Sequence, residues 1–151
     1  HQVKQISSKE TTIIRHQVLR KGRSIESCFF DGDEDFNTIH LGVFTNSKLV
    51  GVASFMKNNS ELFLEEKQYQ LRGMAILESY QNTGFGNLLL AEAEKLLHQR
   101  QVDLLWFNAR ETAIHFYKKN NFQIKGGSFL IPKVGIHYTM FKTIKKRANT
   151  K

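Results

Sequence analysis

The stretch LRGMAILESYQNTGFGNLLLAEAEKLL, residues 71–97, changes from a strand-like to a helix-like pattern and so decides the fold. Residues 71–77 form a short, largely apolar run followed by polar residues, as in a buried strand. From Gly86 onward, apolar residues recur at helical spacing, which predicts an amphipathic helix. The apolar stripe of this helix comprises Leu88, Leu89, Ala93, Leu96 and Leu97.

The residues between the two patterns, 81–86, include Gly84 and Gly86. Glycine permits backbone conformations and close approaches that a side chain would forbid. Because a helix N-terminus presents unpaired N–H groups and positive dipole charge, strand, loop and helix together predict a phosphate or pyrophosphate site. A tight turn without a ligand is the alternative. The loop has no P-loop lysine, and Leu89 stands where a dinucleotide fingerprint needs its third glycine.

Length and composition favour one soluble domain. The chain has 151 residues, of which 40% are hydrophobic, enough to bury a sizeable core. We find no apolar run of the roughly 18–20 residues that a membrane span needs and no signal-like segment. Cys28 is the only cysteine, which excludes an internal disulfide and a cysteine-based metal cluster. The six histidines have no helical two-ligand spacing, so we expect no metal partner. The lack of an apolar span and the single cysteine lead us to expect a cytoplasmic protein without a membrane partner.

The net charge of +8 is concentrated near the end of the chain. The last ten residues contain no acid and five basic residues: Lys142, Lys145, Lys146, Arg147 and Lys151. We therefore predict one domain, 1–144, and a basic tail, 145–151. Clustered charge alone carries no sequence readout, so a nucleic-acid partner is the disfavoured alternative. A polyanionic cofactor suits the positive charge of the body equally well.

The rest of the sequence alternates between strand and helix patterns. We predict an antiparallel hairpin within 40–56, with its turn at Asn46 and Ser47. Segments 22–37 and 58–66 are predicted to be loops. Further strands are predicted at 2–6, 102–107 and twice within 122–144, with helices at 11–19 and 111–120. This order predicts a mixed-sheet α/β or α+β domain.

Two motifs in this arrangement resemble the GNAT superfamily of acyl-CoA-dependent N-acyltransferases. The glycine loop fits the signature Q/R-x-x-G-x-G/A at Gln81, Gly84 and Gly86. A later motif, A-x-x-F-Y-x-x-x-x-F, is matched by Ala113, Phe116, Tyr117 and Phe122. Segments 19–44 and 135–140 also resemble the ElaA/YjcF-like bacterial branch, although the proline that usually precedes the histidine at His137 is missing.

The resemblance implies a fold and an activity. The fold is a single domain with a central mixed, mostly antiparallel sheet of about six to seven strands, flanked by helices and splayed between strands four and five. The activity is transfer of an acetyl group from acetyl-CoA to a primary amine of a small molecule or protein, by direct attack in a ternary complex. A non-catalytic acyl-CoA-binding sensor with the same fold is the alternative. A homodimer is one option for its assembly.

The resemblance also implies where acetyl-CoA binds. The pyrophosphate would lie on backbone amides of 82–87, and the pantetheine arm on the preceding strand and on Asn108. For Asn108, a helix cap is the alternative role. The implied cofactor-binding residues are Met74, Ala75, Ile76, Gln81, Asn82, Thr83, Gly84, Phe85, Gly86, Asn87, Asn108, Phe116 and Tyr117.

The reaction requires proton transfers. An amine with a lysine-like pKa near 10 needs a base or a desolvated pocket, for which His40, His137, Glu26 and a water-relayed path stay open. By motif position, Tyr117 would protonate the leaving thiolate; a core aromatic is its alternative role. Backbone N–H groups near Ala75 or Ile76 would polarise the thioester carbonyl. The acids of one turn either attract a cationic amine or are simply solvated: Asp31, Asp33, Glu34 and Asp35.

Overall fold

The structure is a computed structural model that describes residues 1–144. The predicted basic tail, 145–151, lies outside the described residues, and its boundary stays a prediction. The strands are β1 (Gln2–Gln5), β2 (Ile39–Thr45), β3 (Lys48–Lys57), β4 (Gln68–Ile76), β5 (Leu104–Arg110), β6 (Gln123–Ile131) and β7 (Gly135–Thr143). The α-helices are α1 (Ser8–Val18), α2 (Phe85–Gln99) and α3 (Ile114–Lys119).

The strands form one mixed sheet in the order β1-β2-β3-β4-β5-β7-β6. Strand β2 pairs antiparallel with β1 and β3, and β7 pairs antiparallel with β5 and β6. Strands β4 and β5 are parallel, with Gln68 opposite Leu104 and Gln70 opposite Trp106. The predicted mixed, mostly antiparallel fold is therefore confirmed. The predicted splay between β4 and β5 concerns residues that follow these pairs, and it stays a prediction.

One compact unit comprises His1–Lys57 and Leu71–Leu96. Its β2–β3 hairpin turns at Asn46 and Ser47, whose φ angles of +50° and +66° are typical of a two-residue turn that matches the strand twist. Helix α1 packs on the hairpin side through a core cluster of Ile14, Val52 and Ala75. The predicted hairpin is thus confirmed.

A capping box begins α1 at Ser7 and Glu10. The Glu10 N–H donates to Ser7 Oγ at 3.2 Å, and the Ser7 N–H donates to Glu10 Oε1 at 2.8 Å. These bonds satisfy two donors that a helix N-terminus would otherwise leave without partners, so local sequence fixes where α1 starts.

The second unit comprises Asn58–Gln70 and the described residues from Leu97 onward. Its core cluster joins Phe63, Leu104 and Trp106. The predicted loop at 58–66 is confirmed, and the buried Gln68 amide holds it by donating to the Phe63 and Glu65 carbonyls at 3.3 and 2.9 Å. A buried side chain thus satisfies backbone carbonyls of the loop.

The buried face of α2 differs from the predicted stripe. Leu89, Leu90 and Ala93 are buried, whereas Leu88 is 39% exposed. Residues 89, 90 and 93 follow the i, i+1, i+4 spacing of one helix face, and Leu88 lies outside it. The prediction for Leu88 was therefore wrong. Of the helices in the described part of the chain, none is long and apolar enough to cross a membrane.

Candidate active site

The glycine loop is tied to the end of β4 by its own side chains. A short 3₁₀ turn, Glu78–Tyr80, separates the strand from the loop. Gln81 Nε2 donates to the Ile76 carbonyl at 2.9 Å. Thr83 Oγ1 donates to the Tyr80 carbonyl at 2.6 Å. Gln81 therefore ties the loop to the strand, and Thr83 ties it to the turn that separates them.

The backbone of the loop has a conformation that suits an anion. Gly84 has φ +94°, and a Cβ built on it would meet no atom within 4 Å, so open space lies beside this residue. The N–H of Leu88 donates to the Gly84 carbonyl at 3.2 Å as α2 begins. The helix therefore provides no intrahelical acceptor for the amides of Phe85 and Gly86. Amides and open space together fit a phosphate group.

The side chain of Phe85 anchors the first turn of α2. It is 6% exposed, and its ring centroid lies 6.0 Å from that of Tyr80 in an edge-on arrangement. Because this side chain is buried, Phe85 can offer a ligand only its backbone. The predicted role of Phe85 in cofactor binding is thereby narrowed to its N–H group.

Strand β4 contains a backbone irregularity just before the predicted pantetheine residues. Gly73 has φ +65°, a left-handed conformation that interrupts the regular alternation of the strand. Ala75 is buried, and Met74 and Ile76 are half-buried. The sequence-based prediction missed Gly73, although an isolated glycine inside a strand pattern is the expected signal for such an irregularity.

We expect Gly73→Ala to destabilise the protein more than a glycine substitution in open space. An alanine Cβ would lie 2.9 Å from Phe30 Cε2 and 3.1 Å from Arg15 Nε. The left-handed conformation costs about 1–2 kcal/mol, and overpacking adds about 1–3 kcal/mol. The matched control is Gly22→Ala, because Gly22 has φ +81° but a Cβ at this position would meet no atom within 4 Å. Equal losses in denaturant-induced unfolding of the two variants would contradict the steric account.

Arg15 forms the centre of a buried polar network. The side chain is 0% exposed. Its Nη1 donates to Asp33 Oδ2 at 2.7 Å and to the Cys28 carbonyl at 2.8 Å. Its Nη2 donates to Asp33 Oδ1 at 3.0 Å and to Ser54 Oγ at 2.9 Å. Within residues 1–144, Arg15 Nε is buried without a hydrogen-bond partner. The network joins α1, β3 and the segment that precedes β2.

Burial alone would raise the pKa of Asp33, but the network reverses this effect. Hydrogen bonds from Arg15 and from the Phe30 N–H, together with the charge of Arg15, hold the pKa below its usual value of 3.8. Asp33 is therefore an ionised carboxylate engaged in an ion pair rather than a group free to attract an amine. The other acids of the predicted substrate-attracting turn are exposed: Asp31, Glu34 and Asp35.

His40 belongs to the same network. Its Nδ1 lies 2.7 Å from Ser54 Oγ, and its Nε2 lies 2.9 Å from the Asp33 carbonyl oxygen. The side chain is 7% exposed. To act as a base, His40 would have to exchange one of these contacts for a substrate proton. Glu26, another predicted base, is exposed in the 3₁₀ turn Ile25–Cys28.

In the second unit, Tyr117 lies in an aromatic cluster. Its ring centroid is 4.3 Å from Phe107, 5.1 Å from Phe116 and 5.9 Å from Phe122. Burial raises the pKa of Tyr117 to about 12, since the phenolate would lose its hydration. Among residues 1–144 the hydroxyl has no hydrogen-bond partner. It is therefore a protonated group whose donor is not used by the protein.

Asn108 lies within β5 and not at a helix start. Its side chain is exposed, and its Oδ1 accepts a hydrogen bond from Thr139 Oγ1 at 2.8 Å. The turn after β5 is preceded by Arg110 at its N-cap position, so the helix-cap alternative for Asn108 is not observed. The Thr139 contact orients the amide of Asn108.

His137 lies on β7 and is 5% exposed. Its Nδ1 lies 2.9 Å from the Gly135 carbonyl oxygen, and its ring packs 5.9 Å from that of Phe129. The Gly135 contact favours a proton on Nδ1, which leaves Nε2 as the basic nitrogen. Across 1–144, no group of three or more His, Cys, Asp or Glu residues could hold a metal ion.

Comparison with known proteins places this geometry in context. The sequence matches the model of the acetyltransferase (GNAT) family over residues 3–122. It is 39% identical over 144 residues to the uncharacterized N-acetyltransferase YitI of Bacillus subtilis, a match that covers 95% of this chain and 97% of that protein.

Solved structures share the fold at low sequence identity. An aminoglycoside 6'-N-acetyltransferase complexed with coenzyme A superposes with a TM-score of 0.76 at 13% identity, covering 99% of this chain and 100% of the other. The ribosomal-protein-S18-alanine N-acetyltransferase of Escherichia coli superposes with a TM-score of 0.73 at 18% identity, covering 99% and 96%. The names of these two proteins indicate different acceptors, and both are below 25% identical to this chain. The likeness therefore shows the fold alone.

Proposed function

Because this chain belongs to the GNAT acetyltransferase family, we propose that it transfers the acetyl group of acetyl-CoA to a primary amine of a small molecule or protein. The amine nitrogen forms a bond to the acetyl carbon within a ternary complex, and the carbon–sulfur bond breaks. The amine loses a proton and the leaving thiolate gains one. The observation that carries this proposal is the loop at the end of β4, where Gly84 opens space beside the first amides of α2.

In this proposal the loop binds the pyrophosphate of acetyl-CoA through backbone amides of 82–87. The open side of Gly84 supports this role, since a Cβ there would point into the space where the anion lies. Gln81 and Thr83 act by holding the loop to the end of the strand and to the turn after it, as their hydrogen bonds to Ile76 and Tyr80 indicate. The donor thus meets backbone rather than charged side chains.

The acyl-bearing arm is proposed to follow β4. Backbone groups of Met74, Ala75 and Ile76 would pair with the pantetheine, and an N–H near Ala75 would polarise the thioester carbonyl. Asn108 and Phe116 stay proposed pantetheine contacts, supported by their positions in the family motifs. Coenzyme A supplies the thioester, and the protein residues bind and orient it.

Tyr117 is proposed to protonate the thiolate. A hydroxyl with a raised pKa of about 12 keeps its proton at neutral pH and has no competing acceptor among residues 1–144. The base stays open among His137, a water-relayed path, His40 and Glu26. Of the side chains, His137 has the better geometry, because its Nε2 is not committed to the contact that Nδ1 makes with Gly135.

We expect Gly84→Val to weaken acetyl-CoA binding at least about tenfold. A branched side chain cannot keep φ +94° without strain, so the loop amides would shift and lose charge-assisted hydrogen bonds of about 1.5–3 kcal/mol each. Isothermal titration calorimetry measures the dissociation constant. The matched control is Gly126→Val, because Gly126 also has φ +78° and open surroundings. If the folded Gly84→Val protein binds as tightly as the wild type, the loop does not hold the pyrophosphate.

The proposed function is tested by calorimetric titration with acetyl-CoA, with dephospho-CoA and ATP as comparators. Selective micromolar binding of acetyl-CoA, followed by CoA-thiol release with an amine, is the expected result. Binding without turnover on any amine would favour the acyl-CoA sensor. No binding to a folded sample would mean that the glycine loop is only a turn.

A further inference from the structure

Three guanidinium groups surround one aromatic ring. The Cζ atoms of Arg15, Arg72 and Arg20 lie 3.9, 4.7 and 5.6 Å from the centroid of Phe30. Each is attracted to the electron-rich face of the ring, but like charges this close repel one another unless anions neutralise them. We call Arg20, Arg72 and Phe30 the arginine clamp.

The protein neutralises only part of this charge. Within residues 1–144, Asp33 is the only carboxylate in an ion pair with the cluster, and it pairs with Arg15. Arg72 is half-buried, and in the same part of the chain its guanidinium has neither a carboxylate partner nor a side-chain hydrogen bond. Burial and the charge of Arg15 lower the pKa of Arg72, while Asp33 and Asp31 oppose this effect from a distance. Arg72 is therefore a partly desolvated cation without its own anion.

The position of Arg72 on β4 connects it with the proposed reaction. The pyrophosphate loop follows the end of this strand, so the acyl arm runs backward along it from Ile76 toward Met74. The thioester then lies at the end nearest to Arg72. Two residues of strand span about 6–7 Å, which is the length of a short amino acid. An acceptor with its amine at the thioester can thus place a second group against Arg72.

We infer that the acceptor is a primary amine that carries an anionic group and that Arg72, assisted by Arg20, binds this group. The inference rests on the proposed acetyltransferase function. A carboxylate matches the planar fork of a guanidinium, and a phosphate offers the same charge. Arg15 does not bind the acceptor, because its Nη groups are all engaged. Its Cζ lies 3.9 Å from the centroid of the Phe30 ring, so Arg15 supports this ring. Specificity for an anionic amine distinguishes this site from one for polycationic acceptors.

The test compares amines that differ only in the distal group. Short ω-amino carboxylates, ω-aminoalkylphosphonates and alkylamines of equal chain length serve as acceptors with acetyl-CoA. We expect kcat/KM for one anionic series to exceed that of the alkylamines about 10- to 100-fold, the worth of a charge-assisted hydrogen bond. A preference for carboxylates or for phosphonates identifies which anion is bound, and either supports the inference. Equal kcat/KM for all three series overturns it.

Substitutions of Arg72 test whether the arginine clamp causes the preference for anionic amines. Arg72→Gln should remove this preference by raising KM for the anionic amine far more than KM for the alkylamine, and Arg72→Lys should restore part of the preference. Arg23→Gln is the matched control, because Arg23 is an exposed arginine outside the clamp. Equal losses for anionic and neutral amines in Arg72→Gln would indicate a merely structural role and overturn the inference.

A binding measurement separates this inference from the proposed function. The CoA-bound protein is titrated with N-acetylated products of the anionic series. Binding to the wild type and to Arg23→Gln, but not to Arg72→Gln, is the expected result. If CoA binds and no anionic product does, the acceptor inference fails while the cofactor assignment stands. If acetyl-CoA itself does not bind, the proposed function fails first.

Discussion

Replacing Asp33 by alanine is expected to lower the free energy of unfolding by about 3–5 kcal/mol, because it leaves Arg15 buried without a counter-charge. Arg15 is fully buried, and its Nε already lacks a partner within residues 1–144. The variant also removes the acceptor of the Phe30 N–H, which donates to Asp33 Oδ2 at 2.9 Å. Urea-induced unfolding followed by circular dichroism measures the loss.

Two further variants test whether the ion pair is the cause. Asp31→Ala removes a carboxylate from the same turn, but one that is exposed, and should change the unfolding free energy by less than about 0.5 kcal/mol. In Arg15→Met/Asp33→Ala, both charges are gone, so the loss should be smaller than the sum of the two single losses. Additive losses would show that the two residues stabilise the fold independently.

The same ion pair predicts a dependence of stability on pH. The folded protein holds the pKa of Asp33 below 3.8, so its stabilisation is complete above pH 3.8 and is lost as the pH falls through the lower folded value. The difference in unfolding free energy between the wild type and Asp33→Ala should therefore shrink as the pH is lowered below 3.8. A difference that stays constant over this range would mean that Asp33 acts through packing alone.

Replacing Tyr117 by phenylalanine is expected to lower kcat by about 10²–10⁴-fold, the usual contribution of a general acid, with little change in the dissociation constant of acetyl-CoA. Phenylalanine keeps the ring contacts with Phe107, Phe116 and Phe122. The lost hydroxyl has no hydrogen-bond partner among residues 1–144, so the fold should not be weakened. Steady-state kinetics and calorimetry separate the two quantities.

Tyr138→Phe provides the control for loss of a phenol hydroxyl in the same unit, and we expect its kcat to match the wild type. Because the pKa of Tyr117 is raised to about 12, its ionisation should not limit the wild-type rate near neutral pH. An unchanged kcat in Tyr117→Phe would assign the proton to water or to another residue and leave Tyr117 as a core aromatic.

Much of the fold could be predicted because its signals are local. Strand-like patterns on either side of Asn46 and Ser47 predicted a hairpin, and apolar residues at helical spacing predicted α2. The glycine loop could also be predicted, because glycines between a strand pattern and a helix pattern indicate a tight loop with left-handed backbone. Boundaries were less certain: the predicted helix over 111–120 is a 3₁₀ turn, Glu111–Ala113, followed by α3. Local packing decides such ends, and the pattern alone does not.

The role of the charged groups could not be predicted in the same way. In the sequence, Asp33 is a candidate for attracting an amine because it stands in an acidic turn, and His40 is a candidate base that stands beside apolar strand residues. The structure places both in a buried network around Arg15, with which they share no local motif. Arg15 is 18 residues from Asp33 and 39 residues from Ser54 in the sequence, although it bonds to both. Only the folded chain could therefore reveal these partners.

The sequence by itself determined the strand–loop–helix unit at 71–97, the family and the order of secondary structure, because dihedral preferences and periodicity act between near neighbours. The tertiary structure alone decided which charges are paired. Asp33 is neutralised by Arg15, whereas Arg72 has no carboxylate partner in the described chain. Charge pairing depends on distance and burial in three dimensions, and these arise only when α1, the segment after it and β4 pack together.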